Sequence, residues 1–222
     1  MVELERLRCT VTQCRLSWST ISDTASFIDP DGRHNHVLRL HIHRSLFDTA
    51  VSWLTSWLPT TLCKPIQTFL PDPFLPPSVI IKKLKPEWDA EFNDEKRIYD
   101  KLAPLQGRVI PILYGEGTTS DGTRAPVLSD IGDVSLHAKQ VKALSKETFK
   151  GMIKPAVRAM LELGVEPADQ NPRNYHLVGD AVFVLDFEDT AEVDEAEIDA
   201  LADAVADGVA HWTVFYHQHN HG

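Results

Sequence analysis

The chain has 222 residues and a formal net charge of −10, a length that holds one domain or two small lobes sharing a cleft. Hydrophobic residues make up 43% of it, enough for a packed core and too many for a disordered segment. The acidic balance argues against general nucleic-acid binding, because a phosphate backbone repels it. A nucleotide pocket stays open, since a bound cation and a lysine or two reverse the sign locally.

Cys9, Cys14 and Cys63 form neither a metal-ligand spacing nor an even disulfide framework, and read as thiols of a reducing compartment. The opening MVELERLRC lacks the apolar core of a secretory signal. Residues 46–62, with Trp53, Leu54, Trp57 and Leu58, are too short and polar to span a bilayer. They read as an amphipathic packing helix; a membrane-surface helix would want flanking lysines that this face lacks. A soluble cytoplasmic protein without membrane or nucleic-acid partners is expected, its oligomeric state open.

In chain order, residues 8–17 and 37–43 alternate as strands do, with the turn Asp29-Pro30-Asp31-Gly32 between them. Proline-rich residues 71–77 deliver the chain into a strand at 78–84. A helix at 86–102 follows, with Phe92, Ile98, Tyr99 and Leu102 as core candidates. A strand at 109–114, a Gly/Thr/Ser-rich turn at 115–124 and a strand at 125–129 come next. Ser145 caps a helix over 145–163, where Phe149, Met152, Ile153, Val157 and Leu161 recur at helical spacing and Gly164 stops it. Apolar runs at 175–178 and 181–185 flank Gly179-Asp180, a hairpin with a type I′ or II′ turn. A last helix runs from about 193 to 216.

The chemistry concentrates between Gly164 and Glu188. Asp169 and Asn174 stand five residues apart on a loop after a helix, and Asp186 ends a buried strand beyond the hairpin. Magnesium takes hard oxygen ligands and keeps several waters, so one carboxylate and one amide suffice to hold it against phosphates. A separate carboxylate must face the nucleophile and take or orient its proton. Asp186 and Asn174 suit the first task, Asp169 the second.

In these residues the chain resembles the protein-kinase-like superfamily. The spacing from Asp169 to Asn174 equals that of its catalytic loop, and Asp186-Phe187 stands where the family carries Asp-Phe-Gly. Asp169-Gln170-Asn171-Pro172-Arg173-Asn174 and Asp186-Phe187-Glu188 look closer to the aminoglycoside- and choline-kinase branch. They are most similar to small kinase-like proteins common in filamentous fungi, over about residues 78–190. The resemblance implies an α+β, reduced two-lobed fold. Its N-lobe would be an antiparallel sheet with one helix over 1–127, its hinge 128–131, and its short, mainly helical C-lobe 132–222. ATP and Mg²⁺ are the implied cofactors, with a small molecule or a restricted protein site as acceptor.

The same template implies a phosphate-binding lysine in Val79-Ile80-Ile81-Lys82. Strand alternation lets only one of Lys82 and Lys83 face a cleft; Lys82 is preferred and Lys83 is the alternative. Its acidic partner would be Glu95, which fits better than Glu91. Leu128, Ser129 and Asp130 would contact the purine through main-chain groups. Arg173 would neutralise transferred charge or stack within the loop.

Three features depart from the family pattern. Pro167 replaces the histidine two residues before the catalytic Asp, and no Gly-rich loop precedes Lys82, Gly32 being the sole upstream glycine. Only 36 residues follow Asp186, too few for an activation segment and peptide-docking helices. The alternatives are therefore a pseudokinase or kinase-shaped scaffold, or a kinase fold repurposed for another reaction on a metabolite. The acids Glu192, Asp194, Glu195, Glu197, Asp199, Asp203 and Asp207 give the last helix a negative face, read first as a solvated one; if it borders the cleft, it would favour a cationic or neutral acceptor. The pairs His34/His36 and His41/His43, and His217, His219 and His221, read as a polar strand face and a frayed terminus rather than as a zinc site.

Overall fold

The computed structural model describes residues 10–16, 19–27, 36–42, 44–59, 61–63, 66, 72–132, 135–136, 138, 144–193 and 197–219, with backbone alone for 10–27 and 72. The fold is mixed α+β. It divides into two compact units, Met1–Trp88 with Leu113–Asp130, and Asp89–Ile112 with Ile131–Gly222. This differs from a contiguous cut near residue 127, because residues 89–112 group with the later elements.

The first unit contains β1 (Thr10–Leu16), β2 (Ser19–Phe27), β3 (Val37–His41), β4 (Ser78–Lys82), β5 (Leu113–Thr119) and β6 (Arg124–Ser129). They form a closed antiparallel barrel in the order β1-β2-β3-β4-β6-β5, sealed where Cys14–Leu16 pair with Thr119–Gly117. Closure gives each of the six strands two hydrogen-bonded neighbours. Period-two alternation builds the core: Leu38 pairs with Ile81 and Leu40 with Val79, and all four are buried with Leu75, Ala125 and Val127. The same alternation leaves Lys82 half-buried beside Ile81.

Helix α1 (Leu46–Thr55) opens with a reciprocal cap, Ser45 Oγ accepting from the Asp48 amide and Asp48 Oδ2 from the Ser45 amide. The expected packing role does not hold for most apolar side chains of α1 and the residues after it, Val51 being the half-buried exception. Leu46 is 91% and Trp57 77% exposed, and Phe47, Trp53 and Leu54 are also open. Thr55 alone in this helix is buried.

The second unit holds α2 (Asp89–Lys101), α3 (Lys146–Leu161), β7 (Val165–Pro167), β8 (Tyr175–Val178), β9 (Ala181–Val184), β10 (Thr190–Glu192) and α4 (Ile198–His219). Ser145 Oγ caps α3 by accepting from the Thr148 amide. Phe149, Ile153, Val157 and Met160 of α3 are buried, as are Val205, Ala206, Val209 and Ala210 of α4, each set spaced along one helix face.

The rim of this helix pair corrects the expected negative face. Lys146 reaches Asp207 at 2.9 Å, Lys150 and Lys154 reach Asp203 at 3.2 and 2.7 Å, and Arg158 reaches Asp199 at 3.2 Å. Glu192 takes Arg97 at 3.2 Å. Glu192, Asp199, Asp203 and Asp207 belong to a ladder of ion pairs and do not present unbalanced charge; Glu197 is not part of the ladder, and Asp194 and Glu195 lie outside the described residues. His217 is also not at a frayed end: it is buried, its Nε2 3.0 Å from the Leu136 carbonyl and its ring stacked on Phe149.

Two further differences are local. β2 was not anticipated, because STISDTASF is polar and lacks a clean apolar alternation. β5 spans 113–119 instead of 109–114, with a register irregularity between Leu113 and Gly115, and the expected turn over 115–124 narrows to residues 120–123. The Asp29–Gly32 turn, His34, His43 and His221 lie outside the described residues. Among the described residues no helix is long and apolar enough to cross a membrane.

Candidate functional site

Asp169, Asn174 and Asp186 of the second unit sit on one excursion of chain, and both of its ends are pinned. β7 pairs antiparallel with β10, Glu166 opposite Ala191, and the Ala168 amide donates to the Asp189 carbonyl at 3.2 Å. Pro167 is accommodated because Ala168 supplies the amide that a proline cannot. Between these ends, β8 and β9 form a hairpin with Tyr175 opposite Val184. Its turn uses Gly179 at φ +65, while Asp180 has no positive φ, the type II′ pattern.

The hairpin register brings the motif together. One step beyond the Tyr175–Val184 pair, the Leu185 amide donates to the Asn174 carbonyl at 2.7 Å. Asn174 therefore stands at the entrance of the hairpin and Asp186 at its exit. Asp186 adopts φ +62, a left-handed conformation that costs a non-glycine residue about 1 kcal/mol. Aspartate is among the few side chains that take it, here with the Glu188 amide turned toward Asp186 Oδ1 at 3.4 Å.

Asp169 is held by two donors. The Asn171 amide donates to its Oδ1 at 2.9 Å and Asn174 Nδ2 to its Oδ2 at 2.7 Å. Asn171 Oδ1 in turn accepts from the Arg173 amide at 3.1 Å, capping the single turn Pro172–Asn174. A carboxylate offers about four lone-pair sites, so these two donors leave about two for a further donor. With Nδ2 committed to Asp169, Asn174 keeps its side-chain oxygen Oδ1, a hard donor of the kind magnesium takes. Among the described residues no group of three or more His, Cys, Asp and Glu could hold a metal. Asn174 and Asp186 would supply one amide oxygen and one carboxylate, so an ion held by them would need the rest of its shell from other oxygens, which magnesium's habit of keeping waters allows.

Helix α2 contributes from its buried face. Glu95 is 4% exposed and Tyr99 1%, and the Tyr99 ring meets Phe187 edge to face at 5.1 Å. Burial, and then the charges of Glu95 and Asp186, push the Tyr99 phenol well above its ordinary range. Glu95, one turn before Tyr99, and Asp186, next to Phe187, thus lie near a common aromatic pair. Glu91 is only half-buried. Burial, and secondarily the Asp169 charge, also raises the Tyr175 phenol.

The remaining candidates belong to the first unit. Lys83 Nζ is 2.7 Å from Asp121 Oδ2, in the β5–β6 turn where Thr119 Oγ1 and the Thr123 amide also donate to Asp121. Lys83, and then these donors, hold the Asp121 carboxyl far below the usual carboxylate range. Lys82 ends β4 opposite Val37. Leu128 is buried in β6, paired with Ile80 on one side and Leu113 on the other, and Ser129 pairs with Val79. Asp130 receives Arg39 through two hydrogen bonds of 2.7 and 3.2 Å.

Sequence reasoning missed the residues that face the catalytic-loop candidates. An open groove of about 420 Å³ is lined by residues 169–173 on one wall and by Trp212, Phe215 and Tyr216 of α4 on the other. Gln170 lies against α4 at Gly208, where any Cβ would overlap its carboxamide. The signal was available, since 212, 215 and 216 share one helix face. Which loop that face meets was not.

No known family model matches the chain, and no curated protein matches it.

Proposed function

We propose that the chain is an ATP- and magnesium-dependent phosphotransferase of reduced, two-lobed kinase-like fold, acting on a hydroxyl of a small molecule or a restricted protein site. The observation that carries this reading is the 2.7 Å bond from Asn174 to Asp169, with Asp186 at the other end of the same hairpin. That arrangement sets a carboxylate for the nucleophile beside an amide oxygen and a second carboxylate for a hard cation.

Asn174 and Asp186 would hold magnesium, which screens phosphate charge when bound. Asp169 orients the acceptor hydroxyl and takes its proton. The acceptor oxygen bonds to the γ-phosphorus as the bond from that phosphorus to the β–γ bridging oxygen breaks, and ADP leaves. Lys82 keeps the phosphate assignment from its place at the end of β4, with Lys83, 2.7 Å from Asp121, as the alternative. Burial of Glu95 supports a structural charge partner in α2. Arg173 borders Asp169 and suits the charge of the transferred group. Leu128, Ser129 and Asp130 keep the purine assignment through main-chain groups. Leu128 is the weakest of the three, since β6 is paired on both sides there.

The test is turnover of labelled ATP with a panel of hydroxyl compounds, comparing the parent with Asp169→Ala. Transfer by the parent that the variant loses is expected. Intact ATP binding without transfer to any acceptor would favour the second reading, a pseudokinase, which is supported by the double engagement of Asp169 and by Pro167.

A further inference from the structure

We infer that the groove between residues 169–173 and the last turns of α4 is the acceptor subsite, and that it takes a neutral aryl alcohol; this rests on the phosphotransferase reading. Asp169 lines the groove, so a molecule seated there presents its hydroxyl to the proposed base. Opposite stand Trp212 and Phe215, 51% and 43% exposed although the inward face of α4 is buried. Their rings are 5.7 Å apart at 85°, a corner in which a flat ring lies on one face and meets the edge of the other. The volume of about 420 Å³ is that of a small-molecule site.

Charge selects the class. Asp169 and Arg173 bring one charge of each sign to the loop wall. The acids Asp199, Asp203 and Asp207 of α4 are tied to lysines and an arginine of α3 and add no unbalanced field. The two opposite charges leave the wall with no net charge that would draw in an amine or a carboxylate ahead of a neutral molecule. A polyol would need many polar partners, whereas the helix wall supplies rings. The close seat of Gln170 on Gly208 keeps loop and helix together without the ligand.

The experiment is ligand-observed saturation-transfer NMR with 2-phenylethanol in the absence of ATP, with phenethylamine, phenylacetate and glucose as comparisons. Trp212→Ala, Phe215→Ala and the parent are compared, and calorimetry with ATP and magnesium is run on all three. Both side chains are open to solvent, and circular dichroism verifies that the variants fold. The expected result is preferential binding of 2-phenylethanol, weakened about fivefold or more in each variant, with ATP affinity retained. In turnover the same variants should raise KM for the aryl alcohol by a similar factor. Equal binding by variants and parent, or tighter binding of the amine, the acid or the sugar, overturns the assignment. A parent that binds ATP but no aryl alcohol also overturns it while leaving the phosphotransferase reading intact. Aryl-alcohol binding lost in the variants, in a protein that binds no ATP, keeps the groove and removes the phosphotransferase.

Discussion

Replacing Asp169 in two ways separates its roles. Asp169→Ala deletes the acceptors of the Asn171 amide and of Asn174 Nδ2, at 2.9 and 2.7 Å. On an exposed loop the two are worth about 1–2 kcal/mol together, which in a chain of this size lowers Tm by about 2–8 °C. Asp169→Asn keeps an oxygen for the Asn171 amide, a donor that cannot turn round. It must then aim its own NH₂ at Asn174 Nδ2, placing donor against donor. Asn174 relieves this by flipping its amide, which turns its carbonyl oxygen away from the proposed metal. Asp169→Asn should therefore weaken binding of ATP with magnesium by about tenfold or more, as loss of an orienting group commonly does. Asp169→Ala, which leaves Asn174 able to keep its orientation, should stay within a few-fold of the parent. Both should lose turnover by about 100- to 10,000-fold. Calorimetry with ATP and magnesium, run beside differential scanning calorimetry, measures each quantity. The reasoning is refuted if Asp169→Ala abolishes nucleotide binding in a folded protein while Asp169→Asn leaves it unchanged.

Lys82→Met should weaken ATP binding and Lys83→Met should not, the latter losing only a surface pair worth about 0–1 kcal/mol; calorimetry on both variants distinguishes them. The depressed Asp121 carboxyl stabilises the fold above its unfolded pKa near about 4, and that stability fades as pH falls toward the folded value. The Tm gap between parent and Asp121→Asn should thus be full at pH 7 and shrink as the buffer is taken below about pH 4. Ser145→Ala removes the cap of α3, and should cost about 1 kcal/mol in urea unfolding with an unchanged slope.

What could be read from the sequence was whatever depends on neighbours along the chain. The caps at Ser145, the stop at Gly164 and the Gly179-Asp180 turn are local chemistry, and each stands where its residues place it. The order Asp169, Asn174, hairpin, Asp186 also survives folding, because a short hairpin must return its ends together. What failed depends on partners far away. Asp199, Asp203 and Asp207 looked like a free acidic face because their cations lie on α3, more than 40 residues earlier. The aromatic wall was hidden for the same reason: the rotation of α4 is set by its packing on α3 and by Gly208 against Gln170. β2 was invisible because its residues are polar, and its place comes from pairing with β1 and β3.

Magnesium dependence of nucleotide binding, followed in the parent and in Asp186→Asn, bears most directly on the proposed site. Calorimetric titration with ATP should show binding in magnesium that falls at least tenfold when EDTA is added. Asp186→Asn should show the weaker value in either condition, with its Tm close to the parent's, since asparagine also accepts the left-handed backbone at this position. Metal-independent ATP binding of equal strength in both proteins, or no ATP binding by the parent, would contradict the assignment of Asp186 and Asn174.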